Sequence, residues 1–510
     1  MDARTFVRVA PLLFALLVAL WVLALMGPPL DAQQGPSIRI PIAWNDKDLS
    51  DWATPLVGLG LRPGFYSQTD FERIPVASLY RTYPMYHPDQ EPAGYWEWLQ
   101  KQPPTPLLDA TTLHSDRDWI EAGRIVFREL YRPGPRGPQA FADLIPLVRS
   151  RAELERTGIE PLPDGTLPLM WVVTPQGVLP VAKACSSCHT RYLPDGTTID
   201  GAAGNHQTFP IPRLRGGIRA APTEKLRTDA YNAYAVPWLK DDMAGAIKSM
   251  TRAELEELWA VETRNDGIMP RHGSAFFPTK VPDLNGVRDR KYLDHTATHL
   301  NRGVEDVMRY AFLVECCDAQ IFGTYRFGPT GTAEPLTPSF RYPDDVIFAL
   351  ATYIYSLDPP ASPYRNDPLA LSGKKIFERE GCANCHTPPL YTNNKLTLAK
   401  GFTPPADHPY RDDIMPSVGT DPGRAMQTRV GTGFYKVPSL RGLWYRNLFG
   451  HQGDVAKLED WFDRARLRDD YVPSGWKGLK LTHRAVRGHE FGLTLPATEK
   501  DALIAFLKTL

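Results

Sequence analysis

Two stretches of the chain, residues 345–357 and 501–510, place apolar side chains at i, i+3, i+4 and i+7. That period predicts helices with one buried face. A second shared pattern, a glycine followed at +3 and +4 by Ile or Val and Phe, occurs at Gly123-Arg124-Ile125-Val126-Phe127 and at Gly373-Lys374-Lys375-Ile376-Phe377, an offset of 250. Near the N-terminus the pattern differs. Arg4 and Arg8 precede a 17-residue uncharged run over residues 10–26, a basic segment followed by an apolar one, as in an export signal. About 17 residues is also the lower limit for a spanning helix. The residues that follow, Gly27-Pro28-Pro29-Leu30-Asp31-Ala32, lack the small side chains of a cleavage site just after the run. An uncleaved anchor is therefore expected over residues 1–28. Either form of export places the remainder outside the cytoplasm, in the periplasm or extracellular space, with the anchored form tethered to the inner membrane.

Composition narrows the class. A chain of 510 residues suits two or three domains, and 43% apolar with 23% charged residues excludes wholesale disorder. Proline, 49 of 510 or 9.6%, is about twice the usual share, which predicts short elements with long irregular connections. The 58 basic and 58 acidic side chains cancel, so no nucleic-acid partner is expected. Six cysteines are too few for a disulfide scaffold, and their positions matter more than their number.

Four of them fall in Cys185-Ser186-Ser187-Cys188-His189 and Cys382-Ala383-Asn384-Cys385-His386, both C-x-x-C-H. Two thiols a helical turn apart can bond the two vinyl groups of one porphyrin, and the next histidine then reaches the iron. A zinc site would need a further Cys/His pair at regular spacing, and Cys316-Cys317 are adjacent. A thiol redox motif would need a βαβ setting, whereas the flanking segments read as helical. Two covalent c-type haems are expected, attached through Cys185, Cys188, Cys382 and Cys385, with His189 and His386 as iron ligands. Cys316 and Cys317 read as buried thiols or a vicinal disulfide.

Further matches mark an internal repeat. Lys280-Val281-Pro282-Asp283-Leu284-Asn285-Gly286 returns as Lys436-Val437-Pro438-Ser439-Leu440-Arg441-Gly442, an offset of 156 that also relates Arg290 to Arg446 and His295 to His451. The two units are unequal, because Cys185 comes 58 positions after Phe127. Residues 117–358 read as the first unit and 364–510 as the second, joined by a proline-rich linker. Residues 38–116 form an N-terminal extension without a clear period.

These motifs resemble the di-haem cytochrome c peroxidase superfamily, which includes the methylamine-dehydrogenase-maturing enzyme and the rubber oxygenases. The resemblance covers about residues 117–510 and includes Phe449-Gly450-His451-Gln452-Gly453. The insertions, the extension and the gap between motifs are similar in layout to the rubber-oxygenase branch. The resemblance implies a mainly α fold: two class I cytochrome c-type helical domains in tandem, with long irregular insertions. It also implies one six-coordinate haem that relays electrons and one that reacts with peroxide or dioxygen.

For the second haem, the methionine that peroxidases of the family use would fall at Ala465, so another distal ligand is required. His489, in Gly488-His489-Glu490-Phe491-Gly492, is the first choice and His451 the second; Met415, Met426, His408 and His483 remain candidates. For the first haem, His295, His299 and Met269 are available. Tyr310 and Phe312 are candidates to line a dry distal pocket, though aromatic side chains at such positions commonly serve as core. Arg290, Arg446, Lys280 and Lys436 are candidates to meet the haem carboxylates. Superfamily members can hold Ca²⁺ between domains, which makes calcium a further candidate cofactor, although no EF-hand loop is present.

Three functions compete on this reading. One is a peroxide reductase fed by a small redox protein or a quinol-linked donor. The second is an oxygenase acting on a hydrophobic organic substrate. The third is a membrane-tethered di-haem electron carrier with no substrate chemistry.

Overall fold

The computed structural model describes residues 38–510, apart from 134–136, 207–210, 212–213, 215–220, 265–266, 270–273, 275, 318 and 327–338. The expected anchor, residues 1–28, lies outside the described residues. Among those described, no helix is long and apolar enough to cross a membrane.

Helix α1 (Asp116–Glu129) starts at a capping box between Ser115 and Asp118 and buries Trp119, Ala122, Gly123, Val126 and Phe127, one stripe at helical period. It crosses α2 (Asp344–Ser356). Helices α3 (Ala370–Arg379) and α4 (Ala497–Thr509) repeat that crossing in the second half. The paired glycines explain both contacts. A Cβ on Gly123 would lie 1.9 Å from the Ala349 carbonyl oxygen, and one on Gly373 would lie 1.9 Å from that of Ala502. The backbones touch because no side chain intervenes.

The expectation of a mainly α, tandem cytochrome c-type layout is corrected here. Helix accounts for 35% and strand for 13%, with several small sheets. The largest is a four-stranded antiparallel sheet built from β1 (Thr82–Tyr86), β2 (Tyr131–Arg132), β3 (Thr166–Thr174) and β4 (Gly177–Lys183), in the order β1-β3-β4-β2. It arises because the long stretch between α1 and Cys185 is not an irregular insertion. Its runs Leu167–Val173 and Val178–Val181 are rich in β-branched and aromatic residues, pair as a hairpin with Met170 opposite Val181, and recruit a strand from the extension. Elsewhere Leu396–Leu398, Ile414–Met415 and Phe434–Lys436 form a three-stranded sheet.

The extension shares its core with the first half. Trp44 stacks on Phe71 at 4.4 Å, and Phe71 meets Phe312 at 5.0 Å within one cluster that includes Val126, Phe127 and Trp171. A separate cluster around Ile376, Phe377, Leu503, Phe506 and Leu507 forms the second half's core.

The halves exchange backbone hydrogen bonds reciprocally. The Lys280 N–H donates to the His451 carbonyl and the Lys436 N–H to the His295 carbonyl, both at 3.0 Å. The Arg290 guanidinium donates to the carbonyls of Asp283 and Asn285, and that of Arg446 to those of Ser439 and Arg441, the same pair of positions 156 residues on.

Gly373→Ala forces a methyl group into a backbone carbonyl, and overpacking of that kind costs about 3 kcal/mol. Gly245→Ala, in the helix Ala244–Lys248 with nothing within 4 Å of the new methyl, should be neutral or slightly stabilising. Denaturant unfolding of the two variants measures the contrast.

Candidate functional site

The second C-x-x-C-H segment begins as a 3₁₀ turn, Cys382–Asn384, directly after α3. The His386 N–H donates to the Cys382 carbonyl at 2.9 Å, which turns the imidazole into the interior. Its Nδ1 lies 3.1 Å from the Pro438 carbonyl and 3.2 Å from that of Tyr391. Only an N–H can satisfy a carbonyl, so the proton belongs on Nδ1 and the lone pair on Nε2. Burial lowers the affinity of this ring for a second proton, against the pull of the same two carbonyls.

Across a cavity of 230 Å³ stands His489, its ring centroid 6.2 Å from that of His386 and inclined at 59°. A metal–imidazole bond is about 2 Å and a ring nitrogen lies about 1 Å from its ring centre, so two imidazoles on opposite sides of one metal have centroids about 6 Å apart. Burial, with His386 nearby, holds His489 neutral, its pKa lowered to about 4. The cavity is lined by Phe377, Val437, Leu440, Leu443, Leu503 and Leu507, together with Cys382 and Cys385. Apolar walls, two thiols at one edge and two opposed imidazoles fit a haem. Among the described residues, no group of three or more His, Cys, Asp or Glu is placed to hold a metal ion by itself. A porphyrin supplies four nitrogens of its own and needs only axial donors from the protein.

His451 lines the same cavity but stacks on Tyr435 at 4.1 Å, with its Nε2 3.3 Å from the Gln452 side-chain amide. His295 places Nε2 2.8 Å from the Lys280 carbonyl. Both histidines sit beside the exchanged strands. Burial lowers the Lys280 and Lys436 ammonium pKa values to about 8 and about 7, and both side chains line the cavity. Their Nζ atoms donate to carbonyls, Lys280 to Leu448 and Lys436 to Tyr292 and Leu293. Burial pushes the Asp283 carboxyl up, but Arg446 and Arg290 outweigh it and keep it below the ordinary value. Arg446 Nε lies 3.1 Å from Asp283, which also accepts from Tyr445 at 2.7 Å.

The first C-x-x-C-H segment, Cys185–His189, is a short helix between β4 and the strand Thr190–Tyr192, so its flanks are strands rather than the expected helices. Cys185 Sγ is 3.6 Å from Glu315, whose carboxylate pairs with Arg132 at 3.2 Å. Cys188 Sγ is 3.8 Å from Met269 Sδ. Burial lowers the His189 pKa to about 4, against the pull of Asp283 and the Pro282 carbonyl; Pro282 is the repeat counterpart of Pro438. Among the described residues, no second imidazole ring faces His189 as His489 faces His386.

Tyr310 and Phe312 are placed differently from one another. The Tyr310 ring is 5.4 Å from His299, which itself pairs with Asp294 at 3.2 Å, and burial raises the Tyr310 hydroxyl pKa. Phe312 is fully buried against Phe71 and Trp44. Cys316 and Cys317 sit at the end of the helix Val304–Glu315, their sulfurs 2.6 Å apart.

No protein-family model and no curated protein matches the chain. Several solved structures are similar to it, among them the following two. A hydrazine synthase of Kuenenia stuttgartiensis shares 16% identity over 63% of this chain and 98% of that one, with a TM-score of 0.27. A MauG-like protein associated with microbial copper homeostasis shares 16% identity over 56% of this chain and 88% of that one, with a TM-score of 0.28. At those scores neither similarity carries an argument.

Sequence reasoning overlooked Tyr435, Trp461, Phe491 and Arg466, all within or beside the second site. Phe491 stands in the His489 segment and Arg466 next to Ala465, but no spacing marks either for a role, and Tyr435 and Trp461 stand in no motif.

Arg446→Ala strands Asp283 in the interior without its adjacent cation. Removing one partner of a buried pair costs about 3–5 kcal/mol. The double variant Asp283→Asn/Arg446→Ala should recover part of that loss, measured by denaturant unfolding as a double-mutant cycle.

Proposed function

We propose that the chain is an exported oxidoreductase carrying two covalent c-type haems, one on Cys185, Cys188 and His189 and the other on Cys382, Cys385 and His386. The second site supports this reading: His386 is matched by an imidazole at the spacing of a shared iron. Haem supplies one-electron transfer and, where an axial position stays open, a place for peroxide or dioxygen to react. On this reading the His189 site is the reactive centre and the His386/His489 site the electron relay.

The protein's own contribution is positional. The Pro438 carbonyl keeps the Nδ1 proton on His386 and presents Nε2, raising its donor strength. His489 closes the opposite side. Phe377, Leu503 and Leu507 keep water from the second site. Lys280, Lys436 and Arg446 offer cationic charge to haem carboxylates along the cavity wall. Electrons come from a small redox protein or a quinol-linked donor, and the reacting partner is peroxide, dioxygen or, with dioxygen, a hydrophobic organic molecule. Tyr310 is the candidate to border the reactive side. The N-terminal segment tethers the protein to the membrane on the outer side.

Resting-state electron paramagnetic resonance and visible spectra should show one low-spin and one high-spin haem, with carbon monoxide binding only one after reduction. Two low-spin, carbon-monoxide-inert haems would instead identify an electron carrier. Replacing Cys382 and Cys385 by Ala should halve the covalent haem content measured by denaturing mass spectrometry.

A further inference from the structure

The His489 Nδ1 is buried with no side-chain or neighbouring-residue hydrogen bond to fix it, so the placement of the ring depends on its packing and on its backbone. That backbone is strained. His489 has φ 48°, in the left-handed region where a side chain is disfavoured, and follows Gly488 at φ 79°. Gly488 presses against Gly419 and Thr420, where any Cβ would come within 2.2 Å of backbone atoms. The loop must therefore be held from outside.

Arg466 does this. It is fully buried, and its guanidinium donates to three backbone carbonyls: Trp461 at 2.8 Å, Val486, and His489 at 2.9 Å. Its own carbonyl accepts from the Val486 N–H at 2.6 Å, and its guanidinium lies 4.9 Å from the centre of the Trp461 ring. That ring is 5.6 Å from the His489 imidazole. From the opposite side the His489 N–H donates to the Val418 carbonyl at 2.7 Å. A planar guanidinium reaches three carbonyls in fixed directions, which a lysine ammonium on a flexible stem cannot reproduce.

We infer that Arg466 is a positioning residue that holds His489 at ligand distance from the iron bound by His386. The inference rests on the proposal that His386 and His489 share one haem. Losing the clamp would free a strained loop to relax, and relaxation would carry the imidazole away from His386 and from any haem iron held between the two rings.

The experiment compares the intact haem-loaded protein with Arg466→Gln, Arg466→Lys and His489→Ala. Arg466→Gln should convert the second haem from low to high spin in half or more of the molecules. It should also add a second carbon-monoxide-binding haem after reduction and speed amide hydrogen exchange over residues 486–491 at least about tenfold. Arg466→Lys should fall between it and the native protein, and it carries the test if Arg466→Gln does not fold. A high-spin second haem in His489→Ala beside native spectra in both Arg466 variants would overturn the role of Arg466 alone. A low-spin second haem in His489→Ala would overturn the ligand assignment beneath it.

Discussion

The reciprocal backbone bonds between the Lys280 and His451 segments and between the Lys436 and His295 segments are the constraint on which the rest of the structure depends. They tie the halves together by main chain, so the match does not rely on side-chain adaptation. Because each strand enters the opposite half, both lysines, both histidines and Arg446 arrive at one interior wall. Ionised groups are costly there, and the cost is met in two ways. Histidines stay neutral and lysines shift towards neutrality, while the arginines donate to carbonyls and draw Asp283 into the network.

That interior supplies what an apolar cavity lacks by itself, namely orientation. The His386 ring is set by a carbonyl on the exchanged strand, Pro438, and its partner across the cavity is set by a guanidinium behind it. One ring is aligned through its own nitrogen, the other through its backbone. A ring aligned through its backbone follows its loop, so the placement of His489 depends on the contacts of residues 486–491.

Several features were legible from the chain because they depend on local spacing. The four cysteines and two histidines of the C-x-x-C-H segments, the 156-residue repeat and the amphipathic helices all follow from residue order. Even the paired Gly123 and Gly373 stood at matched positions, although only the contacts with Ala349 and Ala502 explain them. The sheet was missed because strands Thr166–Thr174 and Gly177–Lys183 are buried and lack clean alternation, so an apolar run there has no distinctive period. The strand from the extension, Thr82–Tyr86, joins that sheet through a contact more than 80 residues distant.

Residue order alone therefore determined which atoms can bond a porphyrin and which segments are copies of one another, because thiol spacing and periodicity are local. Tertiary structure decided which imidazole stands opposite His386. His489 and His451 both border the cavity, yet one faces the first ring and the other is stacked on Tyr435. It also buried Arg466 behind the loop that carries His489, where its guanidinium reaches the His489 carbonyl. Such assignments depend on distances between residues remote in sequence, and burial rather than residue type sets their chemistry.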